Sequence, residues 1–386
     1  MSDEFRRSIL NRLPPMAPTK APWATADDDE EDDEEELADG VGDLVSPSSR
    51  SAAPAAFAPL SASEFFEQAL EVTPDDSDAT FRAYLTEPHP KSGKGTYVLA
   101  HHGGGASALS FAALARDVTA RSSGELGFFA FDARGHGKTR VGGEEKRGAD
   151  LALDVLVADF IAVVRHVFPD PKAAPSFLLL GHSMGAAPIL SAAPLLQKLG
   201  YTVCGVAVLD VVEGTAIEAL PLMKGIISKR PSSFTSVSNA IAWHLNSGSI
   251  RNATSARVSV PSYVVSEAPG AGVDSKQVWR TDLLSTEPFW EGWYTGLSER
   301  FVTARCARLL VLAGQERLDR DLMVGQMQGK FQLEVMQDVG HYLHEDDPDT
   351  LATTLVAFWR RNTQVLVLPP KIGAARPVEV KQVGEA

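Results

Sequence analysis

Short apolar runs alternate with stretches of helical periodicity along most of the chain beyond residue 58. The runs that predict strands are 81–85, 97–100, 128–131, 177–180, 203–209, 309–313 and 331–335. The stretches that predict helices are 151–167, 186–199 and 350–361. Strands that alternate with helices at this spacing are typical of a mostly parallel sheet with helices on both faces. The pattern therefore predicts an α/β fold, in which the alternating run Phe81–Leu85 is a half-buried edge strand.

The pattern changes over residues 211–300, where helical stretches, prolines and tryptophans take the place of the strands. No clean strand is visible there, so we predict a helical lid inserted into the sheet domain. The lid divides the α/β core into a first part, 59–210, and a second part, 301–369. Residues 1–58 are rich in Pro, Ala, Ser and acidic residues, and a segment of this composition buries too little surface to fold. We therefore predict that this segment is disordered and that the tail, 370–386, is irregular.

The charge of the chain is unevenly distributed. The 386 residues have a formal net charge of −14, but much of it lies in the unbroken acidic run Asp27 to Glu36. The remainder is close to neutral and has no basic patch, which argues against nucleic-acid binding. No apolar stretch reaches the roughly 20 residues of a membrane-spanning helix, and no apolar segment follows the charged N-terminus as in a secretory signal.

Cysteine usage favours a reducing compartment. Cys204 and Cys306 lie in or beside apolar runs, and two cysteines cannot form a disulfide framework. We expect both to be free, buried side chains in a cytoplasmic protein, with the nucleus as the alternative.

The run Gly181-His-Ser-Met-Gly185 carries the clearest chemistry in the sequence. This G-x-S-x-G pattern follows the apolar run Phe177–Leu180 and precedes a helix-compatible stretch. In such a strand–turn–helix context the serine is held in a strained turn and exposed as a nucleophile, while small flanking residues let neighbouring backbone approach. Ser183 is therefore the predicted nucleophile.

A serine hydroxyl needs a general base within hydrogen-bond reach, because it is a weak nucleophile at neutral pH. His341 is the predicted base, since it follows the run 331–335 by a short loop and precedes the last helix. This gives the chain order serine, acid, histidine expected for an α/β-hydrolase fold. His344 is the alternative base. A metal site at His341, His344 and Glu345 lacks the usual zinc spacing, so we expect no metal and no cofactor.

The acid that would orient the imidazole has more than one candidate. Asp210 ends the strand that follows the elbow helix, whereas Glu316 and Asp319 follow the next strand, 309–313. Position in the chain permits either choice.

Backbone amides complete the predicted site. An oxyanion hole needs two preorganised N–H donors, and Met184, directly after the nucleophile, supplies one of them. The glycine-rich run His102–Gly105 supplies the other, for which we select Gly104. His136, in the turn Asp132–Gly137, is predicted to be structural. Together these groups predict acyl transfer by a hydrolase.

Several stretches together resemble the protein phosphatase methylesterase family. They are His102–Ser110, Gly181–Gly185, Asp210–Ala216, Gly248–Asn252, Ser255–Ser259, Trp290–Trp293, Arg317–Asp321, Gly325–Phe331 and Gly340–His341. The resemblance implies an α/β-hydrolase fold, a triad of Ser183, Asp210 and His341, and no cofactor. It also implies hydrolysis of the methyl ester on the C-terminal leucine of the protein phosphatase 2A catalytic subunit.

The resemblance further implies a partner. The phosphatase 2A catalytic subunit would be contacted through its C-terminal tail and its active-site face, with Gly325–Phe331 and the lid as contact or gating regions. Two other functions compete with this interpretation: a carboxylesterase that acts on small esters, and a catalytically silent protein that binds the phosphatase.

Overall fold

The computed structural model describes residues 55–91, 93–142, 150–268, 270, 272–314 and 317–363. The acidic run Asp27 to Glu36, most of the N-terminal segment predicted to be disordered and the tail 370–386 lie outside these residues. Within the described ranges, no helix combines the length and the apolar character needed to cross a membrane.

Strands and helices alternate through the part of the chain predicted to be the core. In chain order the strands are β1 (Gln68–Val72), β2 (Ala79–Thr86), β3 (Thr96–His101), β4 (Leu126–Phe131), β5 (Arg140–Val141), β6 (Ser176–His182), β7 (Val203–Leu209), β8 (Ser233–Phe234), β9 (Val264–Ser266), β10 (Gln277–Trp279), β11 (Ala307–Ala313) and β12 (Gln332–Met336). The helices are α1 (Ala112–Arg121), α2 (Leu153–Val167), α3 (Ala186–Lys198), α4 (Glu213–Ser228), α5 (Val237–Asn246), α6 (Ala253–Ser259), α7 (Glu287–Tyr294), α8 (Leu297–Thr303), α9 (Arg320–Met327), α10 (Leu343–Asp346) and α11 (Pro348–Thr363). Each run predicted to be a strand overlaps one of these strands.

The central sheet has the strand order β1-β2-β4-β3-β6-β7-β11-β12, with β5 paired to β2. Strands β4, β3, β6, β7, β11 and β12 are parallel, whereas β2 is antiparallel to both β1 and β4. The prediction that 81–85 is an edge strand was therefore wrong. Strand β1, whose pattern Gln-Ala-Leu-Glu-Val carries little apolar signal, pairs with β2 and covers that edge.

Both faces of the sheet are buried by helices, as the continuous apolar runs predict. Successive residues of β6 point to opposite faces, so Phe177 and Leu179 join one core and Leu178 and Leu180 join the other. Helices α2 and α3 cover the first face, and α1 and α11 cover the second. This arrangement brings the carboxyl ends of β3, β6, β7 and β11 to one edge, where ligands bind in open α/β sheets.

The region predicted to be a helical lid, called the cap from here on, has helices α4 to α8 and also a small sheet. Strands β8, β10 and β9 form this antiparallel sheet, which the sequence pattern did not predict. Strands of two or three residues are too short to show a period of two. Apolar side chains around Ile241, Val260 and Val264 give the cap a core of its own. The boundaries at 211 and 300 stay a prediction.

Hydrogen bonds connect the cap to the core. The buried carboxyl of Glu345 accepts hydrogen bonds from the Ser259 hydroxyl (2.5 Å) and the Tyr263 hydroxyl (2.8 Å), both in the cap. The Thr281 hydroxyl donates to the carbonyl oxygen of Gly135 (2.9 Å), which lies in the loop after β4. These hydrogen bonds add to the apolar packing of α7 and α8 against the core of the first face.

The turn between β6 and α3 requires glycine at two positions. A Cβ at Gly181 would lie 2.5 Å from the carbonyl oxygen of Gly185 and 2.6 Å from the Cα of Ala186. A Cβ at Gly185 would overlap the carbonyl oxygens of His101 and His102 at the end of β3. Because backbone rather than a flexible side chain occupies the space, neither position can accept a larger residue without moving the turn.

Replacing Gly185 with alanine tests this packing. We expect Gly185→Ala to lower the free energy of unfolding by at least the roughly 1–3 kcal/mol typical of overpacked cores, because strand β3 must move. The matched control is Gly225→Ala in α4, where a Cβ meets nothing within 4 Å. The control should be neutral or stabilising, since alanine favours helix by about 1 kcal/mol over glycine. Equal urea midpoints for the two variants would contradict the packing argument.

The buried acid predicts a dependence of stability on pH. Burial raises the pKa of Glu345 from its ordinary value of 4.5 to about 8. Between these values the folded state keeps a proton on Glu345 that the unfolded state has released. The contribution of this proton to folding stability is therefore complete below about pH 4.5 and is lost as the pH rises through about 8. In Glu345→Gln the melting temperature should change less between pH 4.5 and 8 than it does in wild type. Glu291→Gln, at an exposed position, should show the same pH dependence as wild type. If the melting temperatures of wild type and Glu345→Gln changed equally with pH, the raised pKa of Glu345 would be refuted.

Candidate active site

Ser183 occupies the turn predicted for a nucleophile. It directly follows β6, begins a short 3₁₀ turn that leads into α3, and has a positive φ of 50°. This left-handed conformation is uncommon for a residue with a Cβ and stores strain at functional sites. The residue is only 9 % exposed, so Ser183 is nearly buried.

Asp210 and His341 are brought together from positions far apart in the chain. The Nδ1 of His341 lies 2.8 Å from Oδ2 of Asp210, which directly follows β7. The other carboxylate oxygen of Asp210 accepts a hydrogen bond from the backbone N–H of Ala313 (2.7 Å), so both oxygens are held. Burial raises the pKa of Asp210, and the hydrogen bond from His341 opposes that rise. An ionised carboxylate at this position would fix the tautomer and orientation of the imidazole.

His182 connects His341 to the turn that holds Ser183. The Nε2 of His182 donates to the carbonyl oxygen of His341 (2.9 Å), and the two rings lie 4.7 Å apart between centroids. Because His182 ends β6 and directly precedes Ser183, the loop carrying His341 lies at the same end of the sheet as Ser183. The sequence analysis assigned no role to His182.

The other candidates for the base and the acid have different surroundings. His344 is completely buried, neither ring nitrogen has a hydrogen-bond partner among the described residues, and burial lowers its pKa to about 3. Asp319 caps α9, accepting hydrogen bonds from Leu322 N–H (3.0 Å) and the Ser298 hydroxyl (2.5 Å). Glu316 lies outside the described residues. Of these side chains, only Asp210 is seen to pair with His341 in the described part.

The glycine-rich loop after β3 lies against the turn. A Cβ at Gly103 would lie 3.2 Å from the Cβ of Ser183, and one at Gly104 would lie 3.9 Å from the sulfur of Met184. The two residues chosen for the oxyanion hole, Gly104 and Met184, are therefore neighbours beside the nucleophile. Their role as amide donors stays a prediction.

Buried histidines hold this loop in place. His136 accepts the N–H of Gly105 at Nε2 (2.9 Å) and donates from Nδ1 to the carbonyl oxygen of Arg134 (2.9 Å). His102 accepts the N–H of Ala133 at Nε2 (2.9 Å). Burial lowers the pKa of His136 to about 4, so its ring stays neutral and can accept a hydrogen bond at pH 7. This geometry gives His136 the structural position that its turn context predicts.

The cap supplies contacts that the sequence analysis missed. The Tyr294 hydroxyl, at the end of α7, lies near Ser183, which lowers the pKa of Tyr294, whereas burial raises it by more. The side chain of Leu283 packs against the loop, 3.6 Å from where a Cβ of Gly104 would lie. Both residues are far from the motif in sequence, and no local pattern marks them. The cap therefore covers the nucleophile directly.

The described residues contain no group of histidine, cysteine, aspartate and glutamate side chains that could hold a metal ion. The site contains a hydroxyl in a strained turn and an imidazole paired with a buried carboxylate. This combination is the one that serine hydrolases use for acyl transfer.

Comparison with known sequences agrees with this geometry. Residues 98–354 match the model of the Alpha/beta hydrolase family. Protein phosphatase methylesterase 1 of Cryptococcus neoformans var. neoformans serotype D is 57 % identical over an alignment of 424 residues that covers 100 % of both chains. The protein of the same name from Schizosaccharomyces pombe is 42 % identical over 313 residues, covering 80 % of this chain and 87 % of the relative.

Solved structures show the same fold at low sequence identity. E-2-(Acetamidomethylene)succinate hydrolase superposes with a TM-score of 0.58 at 18 % identity, covering 75 % of this chain and 99 % of the other. A thioesterase domain from the curacin biosynthetic pathway gives a TM-score of 0.53, with the same identity and coverage. These comparisons confirm the predicted fold and family. The chain is an esterase-type hydrolase and belongs to the protein phosphatase methylesterase family of the alpha/beta hydrolases.

Proposed function

We propose that this protein removes the methyl ester from the C-terminal leucine of the protein phosphatase 2A catalytic subunit. The observation that carries the proposal is the Asp210–His341 pair beside the strained turn of Ser183, in a chain whose relatives are named protein phosphatase methylesterase. The reaction would take place in the cytoplasm or the nucleus.

In the proposed mechanism Ser183 attacks the ester carbonyl while His341 accepts its proton. Asp210 stabilises the imidazolium that forms, and the amides of Gly104 and Met184 stabilise the negative oxygen. The tetrahedral intermediate collapses, His341 returns the proton to the departing methoxide, and methanol leaves. A water molecule, activated by His341, then attacks the acyl-enzyme and releases the free leucine carboxylate.

The partner surface proposed for the phosphatase lies on α9, whose last turn overlaps the predicted contact region Gly325–Phe331. Met327 is 84 % exposed, and Met323 and Val324 beside it are also largely exposed. These side chains form an apolar surface, which is the character that marks protein–protein contact sites. Helix α9 also packs close to α8, which follows the cap helix that carries Tyr294, so a partner bound there would lie beside the cap.

Methanol release from methylated phosphatase 2A tests the proposed reaction. Wild type should release methanol and expose a free C-terminal carboxylate, whereas Ser183→Ala should lose about 10⁴-fold or more of that rate, as triad removal does elsewhere. The matched control is Ser228→Ala at the exposed end of α4, which should keep wild-type rates. An unchanged rate in Ser183→Ala would favour a silent binding protein, and turnover of small esters without demethylation would favour a general carboxylesterase.

Charge placed on the apolar surface of α9 tests the proposed partner contact. The double variant Met323→Lys and Met327→Lys should lower kcat/KM for methylated phosphatase 2A by about tenfold or more, since each lost apolar contact costs about 1 kcal/mol or more. Hydrolysis of a small nitrophenyl ester should stay at the wild-type rate, because the variant leaves Ser183 and its neighbours intact. An equal loss of activity on both substrates would show that the variant disturbs the fold and not the partner contact.

A further inference from the structure

Arg230 lies in a setting unusual for a charged side chain. It follows α4, and its guanidinium carbon lies 3.5 Å from the centroid of the Trp279 ring. The Nε1 of Trp279 donates to the carbonyl oxygen of Pro231 (2.7 Å), which fixes the ring beneath the arginine. A guanidinium stacked on an aromatic ring keeps its N–H groups in its own plane, where they stay available to an acceptor at the edge.

No anion neutralises this guanidinium among the described residues. None of their carboxylates forms an ion pair with it, and none of their acceptors takes a hydrogen bond from it. The titratable side chains that face it are His244 and Tyr342, whose pKa values burial shifts to about 4 and about 12. Both are therefore uncharged at pH 7. Arg230 is half-buried, and a cation partly removed from water without a partner is unfavourable, so such groups are usually paired or functional.

The position of Arg230 relates it to the candidate active site. Tyr342, whose hydroxyl interacts electrostatically with Arg230, directly follows His341. The Tyr342 ring lies 5.3 Å from the ring of His182, which precedes Ser183. These contacts place the cation on the side of the candidate site where the cap core meets the Tyr342 ring.

The general field of the protein does not explain an anion site here. Outside the acidic run Asp27 to Glu36 the chain is close to neutral, so its long-range field gives an anion no advantage. Any affinity for a carboxylate at this place must come from the local guanidinium.

We propose that Arg230, held by Trp279, is a specificity residue that binds an acidic side chain upstream of the esterified C-terminal residue of a peptide substrate. The inference rests on the proposed function, because it assigns a subsite of the same reaction. A carboxylate is the anion that matches the planar fork of a guanidinium through two parallel hydrogen bonds. An extended peptide advances roughly 3.3–3.6 Å per residue, so the separation of Arg230 from Ser183 fixes how many positions before the ester the acidic residue lies.

Peptide binding to the full chain carrying Ser183→Ala tests this subsite without turnover. The probes are dye-labelled hexapeptides ending in leucine methyl ester, each with one aspartate at a scanned upstream position and a matched asparagine peptide. Fluorescence anisotropy should show one position at which aspartate binds about 10- to 100-fold tighter than asparagine, the range of a charge-assisted hydrogen bond. Added salt should reduce that preference.

Variants at the subsite separate charge recognition from folding. Arg230→Gln should abolish the aspartate preference and leave asparagine peptides bound as before, and Arg230→Lys should restore only part of it. The control is Lys229→Gln, which removes a neighbouring exposed charge and should change nothing. The proposal is overturned if Arg230→Gln loses affinity for both peptides. It is also overturned if wild-type Arg230 shows no aspartate preference at any position, or if no peptide binds. Failure of methanol release by wild type would overturn the proposed function instead, and the binding preference would still be measurable.

Discussion

The close backbone approach between the end of β3 and the start of α3 is the contact on which the site depends. Gly181 and Gly185 are required there because carbonyl oxygens and backbone carbon occupy the space of any Cβ. This crowding holds Ser183 between them at a φ of 50°. The residue after the neighbouring strand β7 has the same left-handed backbone conformation, since Asp210 also has a φ of 50°. Two strained residues at adjacent strand ends thus present a hydroxyl and a carboxylate at one edge of the sheet.

The core could be predicted from the sequence because its signals are local. Buried parallel strands appear in the sequence as continuous apolar runs. A strand followed by the G-x-S-x-G pattern and a helix is typical of a sharp turn with the serine at its tip. The choice between Asp210 and Asp319 could not be made from spacing, because both follow strands that end at the same edge. Only tertiary packing shows that Asp210 meets His341 while Asp319 caps a helix. Strand β1 and the cap strands were missed since short or mixed segments carry no clear period.

The cap contributes more to the site than a cover. Tyr294 reaches the nucleophile, Leu283 packs on the glycine-rich loop, and Arg230 brings a cation to the side of Tyr342. None of these contacts follows from a motif, because each joins residues far apart in sequence. The core therefore carries the groups for acyl transfer, and the cap carries groups suited to selecting the substrate. Buried polar contacts such as those of Glu345 hold the two parts together.

The central claim is that Ser183 is a nucleophile activated by the His341–Asp210 pair. Labelling with a fluorophosphonate, followed by mass spectrometry of the digested protein, tests it most directly. The account predicts a single phosphonylated peptide that contains Ser183, absent from Ser183→Ala and formed at least about a hundredfold more slowly in His341→Gln, since a general base contributes 10²- to 10⁴-fold. Modification at another serine, or equal labelling rates in wild type and His341→Gln, would contradict the account.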